Sequence, residues 1–78
     1  MNNKVYNHVR YHRKKLNLTQ EEFASKLDVS RQTVIAIELG KYNPTLALAL
    51  RISRLVEKPV ESIFSLEKKS SGWDDESL

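Results

Sequence analysis

Apolar residues recur along this chain at helical intervals, in five short runs separated by cap and turn residues. Val5, Val9, His12 and Leu16 follow one another at spacings of four, three and four, predicting a first helix with Lys14 and Lys15 turned toward the other side. Asn17 then closes it, because asparagine accepts the left-handed conformation that ends many helices. Thr19, with Glu22 three positions on, forms a capping box that predicts a helix over 20–27 with a narrow apolar stripe of Phe23, Ala24 and Leu27. Asp28 and Val29 leave only a minimal connection before Ser30, whose hydroxyl is a second N-cap. A helix over 31–39 follows, stopped by Gly40. Asn43, Pro44 and Thr45 form a turn and a third cap, after which Leu46, Ala49, Leu50, Ser53 and Val56 predict a fourth helix ending near Glu57. Pro59 suits the start of a short fifth helix with Val60, Ile63 and Phe64 as its apolar contacts. Strand patterning has room only at the ends.

These runs predict an all-α fold of five helices, built as one domain over residues 1–66, with 67–78 a polar, flexible tail. The tail carries one tryptophan, Trp73, read either as incidental or as a group that docks on a partner subunit. With no cysteine in the chain, stability has to come from packed Leu, Ile and Val and from subunit association. No apolar run is long enough for a membrane span and none resembles a secretion signal, so a cytoplasmic protein is expected. The net charge is +3, but Asp74, Asp75 and Glu76 crowd the tail; residues 1–66 hold eleven Lys and Arg against six Asp and Glu. Such a basic body attracts phosphate where its cations cluster.

The chemistry concentrates in the 31–39 stretch. Val34 and Ile37 fall on one side of the helical wheel, and Gln32, Ile35 and Ala36 on the other, with Arg31 beside them. An ordinary solvated helix would place Glu and Lys there. A guanidinium, a long amide and small aliphatic groups instead match what base edges present in a major groove: Arg to guanine, Gln to adenine, aliphatic groups to the thymine methyl. The plainer alternative is that Ile35 and Ala36 pack under a neighbouring helix while Arg31 and Gln32 are surface residues.

The stretch LTQEEFASKLDVSRQTVIAIELG, Leu18 to Gly40, resembles the Cro/CI (XRE) helix-turn-helix family. The similarity continues through KYNPTLALALRISRLVEKPVESIF to the small stand-alone regulators of that group, including the cytolysin repressor type, and spans about Val9 to Phe64. It implies a lambda-repressor-like DNA-binding domain and a homodimer acting on a double-stranded DNA operator of two inverted half-sites. By the same resemblance Thr19 and Gln20 hold phosphates, Arg31, Gln32, Thr33 and Ala36 contact bases, and Lys41 and Asn43 touch the DNA backbone. Arg13 and Glu38 are implied as a buried ion pair. The dimer seam is expected at Val60, Ile63, Phe64 and Leu66.

Three positions depart from the family pattern. Asp28 and Glu57 stand where glycine is common, and Glu57 suggests a differently ended fourth helix; His12 stands where leucine is usual. His8 and His12 form an i, i+4 pair, but with no third ligand in view no metal site, and no cofactor, is expected. No small-molecule or membrane partner is indicated. The chain offers no carboxylate pair, cysteine nucleophile or glycine-rich phosphate loop, so no enzyme is expected. Transcriptional repression is the leading expectation. The alternative is a protein-interaction module such as an antitoxin or anti-repressor, suggested by the acidic tail and by Ile35, Phe64, Leu66 and Trp73.

Overall fold

The computed structural model describes residues 4–68. The elements run β1 (Tyr6–Asn7), α1 (Val9–Lys15), α2 (Gln20–Leu27), α3 (Arg31–Glu38), α4 (Leu46–Val56), α5 (Val60–Ile63) and β2 (Phe64–Ser65). All five helices predicted from periodicity are present, joined by one antiparallel pairing of two residues on each strand, Tyr6 with Ser65 and Asn7 with Phe64.

Local side chains start the helices as their chemistry dictates. Glu22 N donates to Thr19 Oγ1 at 3.0 Å while Thr19 N donates to Glu22 Oε1 at 2.8 Å, completing the capping box. Ser30 caps α3 through Thr33 N at 3.2 Å, and Thr45 caps α4 through Leu48 N at 3.1 Å. Helix ends use left-handed residues: Asn17 (φ 58°), Asp28 (φ 61°), Glu57 (φ 59°) and Gly40 (φ 77°). Glu57 therefore ends α4 in the same conformation that glycine would supply, against the expectation of a different ending, and carries the steric cost of its Cβ.

The first helix differs most from its prediction. Val5 is outside it, Tyr6 and Asn7 are extended, and Leu16 is an exposed cap residue rather than part of the apolar stripe. The reason is nonlocal. His8 N donates to the carbonyl of Ile63 at 2.7 Å, and strand pairing with Phe64–Ser65 satisfies backbone groups that a longer helix would have bonded internally. Asn7 Oδ1 then accepts from Val9 N at 3.0 Å and starts α1 two residues later. The third helix stops at Glu38, with Leu39 as its cap.

The core is a single cluster drawn from every helix: Val9, Phe23, Ala24, Leu27, Val34, Ile37, Leu48, Ile52, Val56 and Ile63, with Leu18, Val29, Leu55 and Phe64 packed against it. Phe23, Ile52 and Ile63 retain no exposed surface. At roughly 1.5–3 kcal/mol for each fully buried large apolar side chain, this cluster is what holds such short helices together. Among the described residues no helix is long and apolar enough to cross a membrane.

Candidate nucleic-acid interface

The placement of α3 follows from which of its faces the core takes. Val34 and Ile37 are buried beneath α2, leaving Arg31 and Gln32 exposed and Thr33, Ile35 and Ala36 half-buried on the outer side. Gln32 is exposed, while Ala36 is half-covered by the described chain. The Thr33 hydroxyl lies 3.1 Å from Ser30 Oγ, so this side chain is tied to the helix cap.

The acid of α3 is turned away from that surface. Glu38 accepts from Arg13 Nε at 2.7 Å and Nη2 at 3.1 Å, a two-pronged pairing with side-chain exposures of 8% for Arg13 and 5% for Glu38. Arg13 Nη1 also donates to the carbonyl of Leu18 at 2.8 Å, so one guanidinium joins α1, the loop before α2 and the end of α3. The resemblance anticipated this pair. A planar fork matched to a carboxylate fixes angle as well as distance, which is what a helix presented to a partner requires.

Gln20 adds to the same network, its Nε2 donating to Glu38 Oε1 at 3.2 Å. Thr19 accepts from Glu22 N. Both expected phosphate residues are thus also bonded within the fold, at the start of α2. Lys41 and Asn43 are exposed in the connection from α3 to α4.

Sequence reasoning missed two ties. Asn7 Nδ2 donates to the carbonyl of Ile37 at 2.8 Å, fastening β1 to the last turn of α3. Arg51 Nη1 donates to the carbonyl of Leu27 at 2.9 Å, where α2 ends. Asn7 carried a usable signal, since asparagine just ahead of an apolar helical run is a favoured cap; Arg51 had none, because a surface arginine on α4 can face many ways.

The histidine pair is structural. His12 is buried, with Nε2 3.4 Å from the carbonyl oxygen of Ser62 on α5, and its ring meets those of Tyr11 and His8 edge-on. Burial, chiefly, pulls its pKa below the ordinary value, with Lys58 and Lys15 acting in the same direction against the Ser62 hydrogen bond. Among the described residues no group of three or more potential metal ligands is gathered.

The helix-turn-helix family profile matches residues 9–63, which contain α1 through α5. The chain belongs to that family. It is 52% identical over 61 residues to an HTH-type transcriptional regulator of Methanocaldococcus jannaschii, covering 78% of this chain and 92% of the relative. A regulator of Methanothermobacter thermautotrophicus is likewise 52% identical over 61 residues, with 77% and 88% covered. The regulator YgzD of Bacillus subtilis is 39% identical over 64 residues, with 82% and 97% covered. In this helix-turn-helix chain, α2 and α3 are the paired helices, and the connection between them is Asp28–Val29–Ser30.

One expected site residue is corrected by the packing. Ile63 is fully covered by its own chain and belongs to the core, because α5 turns it inward into the cluster that also holds Val9 and Ile52; it has no surface to offer a second subunit. Val60 and Phe64 are half-buried and Leu66 is 74% exposed. The larger unanticipated apolar surface is on α4, where Leu46 and Leu50, one turn apart, are 73% and 53% exposed.

Proposed function

We propose that this chain is a DNA-binding transcriptional regulator that acts as a homodimeric repressor, laying α3 in the major groove of double-stranded DNA. The observation that carries the reading is the outer face of α3, where Arg31 and Gln32 are exposed, Ala36 is half-buried and the helix's one carboxylate is internal, paired with Arg13. Family membership supports DNA binding as the purpose of such a face. Arg31, Gln32, Thr33 and Ala36 read bases; Thr19, Gln20, Lys41 and Asn43 hold the backbone and set register. Residues 1–66 act as the binding domain, in a cytoplasmic setting, and 67–78 as its tail.

Two copies meet through Val60, Phe64 and Leu66 together with Leu46 and Leu50, so that two α3 helices address inverted half-sites about 34–36 Å apart. Selection of bound sequences from random duplex DNA at a stated salt concentration tests the reading. A recovered motif with two-fold symmetry is the expected result; no enrichment, with affinity independent of sequence, would overturn it.

A second reading has its own observation. Leu39, Leu46, Leu50 and Leu66 are all more than half exposed, an apolar allotment suited to a protein partner of the antitoxin or anti-repressor kind. A tight protein complex combined with no DNA affinity at moderate salt would favour it over the first.

A further inference from the structure

We infer that His12 is an acid-released latch between α1 and α5: when its ring takes up a second proton, α5 and β2 come away from the first helix. Val60, Phe64 and Leu66 are carried on that segment. The same event therefore unmakes part of the dimer seam, a consequence that rests on the proposed homodimer.

The hydrogen bonding of the ring comes first. His12 is one of three buried residues of α1, and its Nε2 lies 3.4 Å from the carbonyl oxygen of Ser62 on α5. A carbonyl only accepts, so Nε2 carries the hydrogen in this bond and Nδ1 of the neutral ring is bare. Among the described residues the ring makes no second hydrogen bond and no ion pair. A further proton on Nδ1 thus creates a buried donor without an acceptor and a buried charge without a counter-ion.

The surrounding groups set the sign. On α1, His8 and Tyr11 meet the ring edge-on at 5.4 Å and 5.2 Å, and Lys15 follows one turn on; ahead of α5 stands Lys58. Both lysines oppose a positive charge on His12, and burial opposes it more, against the Ser62 bond alone. The one acid of α5, Glu61, is exposed and makes no pair with His12. In water the imidazolium meets none of these penalties, so falling pH favours the arrangement in which the ring is released.

The segment it holds is a small one. α5 has four residues, and its backbone ties to the start of the chain are the bond from His8 N to the Ile63 carbonyl at 2.7 Å and the pairing of Tyr6 with Ser65 and Asn7 with Phe64. A helix of one turn persists only while packed, and such elements open locally at a lower free energy than the core.

The test follows the His8 amide, whose protection from hydrogen exchange reports its bond to Ile63, in the full chain at about pH 7.5 and about pH 5. After correction for intrinsic exchange, its protection is expected to fall on acidification by on the order of tenfold. It is also expected to stay below that of Ile52, inside α4. The fall is expected to vanish in His12→Leu, and in His12→Gln, which keeps a donor for Ser62, and to persist in His8→Gln. Sedimentation is expected to show the dimer of the parent weakening over the same range by on the order of tenfold, and that of His12→Leu holding. Unchanged protection in the parent, an equal fall in the His12 variants, or exchange of His8 and Ile52 at one rate at both pH values would overturn the latch. A chain that is monomeric at every pH would remove the dimeric reading instead, and the His8 amide would still decide the latch.

Discussion

Arg13 Nε and Glu38 Oε2 lie 2.7 Å apart across 25 residues of sequence, joining the first helix to the end of the third with both side chains nearly covered. The pair is the hinge between stability and site, because the same carboxylate also receives Gln20 from the start of α2. What orients the exposed face of α3 is thus a charge network on its hidden side.

Arg13→Ala leaves the Glu38 carboxylate buried without its cation and is expected to cost about 3–5 kcal/mol. Arg13→Met combined with Glu38→Leu removes both charges and is expected to cost far less than either single truncation. Chemical denaturation of the three variants measures the coupling; additive losses would refute it.

Gln32→Ala is expected to lose about 1–3 kcal/mol at one base position and to relax preference there. Lys41→Ala is expected instead to weaken all duplexes alike and to lower the slope of log affinity against log salt by about 1. Titrations on the selected site and on random DNA separate the two. Equal loss on both duplexes for Gln32→Ala would remove its assignment as a base reader.

The buried His12 makes stability depend on pH. Its pKa is depressed in the folded chain, so between the ordinary value of 6.5 and the lower folded value the unfolded chain binds the proton and the folded one does not. Stability is therefore complete above about pH 6.5 and falls as the medium is acidified through that window. His12→Leu is expected to remove this part of the decline, read as a flatter melting temperature between pH 7 and about 5. An unchanged profile would mean that another group is responsible.

Glu57 holds a positive φ of 59° that glycine adopts without strain. Glu57→Gly is expected to stabilise the fold by about 1 kcal/mol, observed as a higher denaturation midpoint at unchanged slope.

Leu46→Glu together with Leu50→Glu places charge on the exposed apolar stripe of α4. Since neither side chain is in the core, the helical signal should persist while sedimentation shifts to monomer and operator affinity drops. A dimer that survives both changes would move the seam back to Val60, Phe64 and Leu66 alone.

The chain's own order of residues determined a great deal. Thr19, Ser30 and Thr45 start helices through bonds that span three residues, and the apolar intervals after Thr19 and Ser30 name the buried faces of α2 and α3, so these features were legible without any fold. The outward turn of Arg31 and Gln32 followed from the inward turn of Val34 and Ile37 on the same wheel. Tertiary structure decided what depends on distant partners. Tyr6 and Asn7 became a strand because Phe64 and Ser65 came alongside, and Ile63 went to the core rather than to a neighbour. Leu46 and Leu50 remained outside although their spacing matched that of buried leucines. Spacing along a helix states that one side is apolar; only the packing of the other helices, competing for a limited interior, settles which apolar groups are enclosed and which stay available to a second molecule.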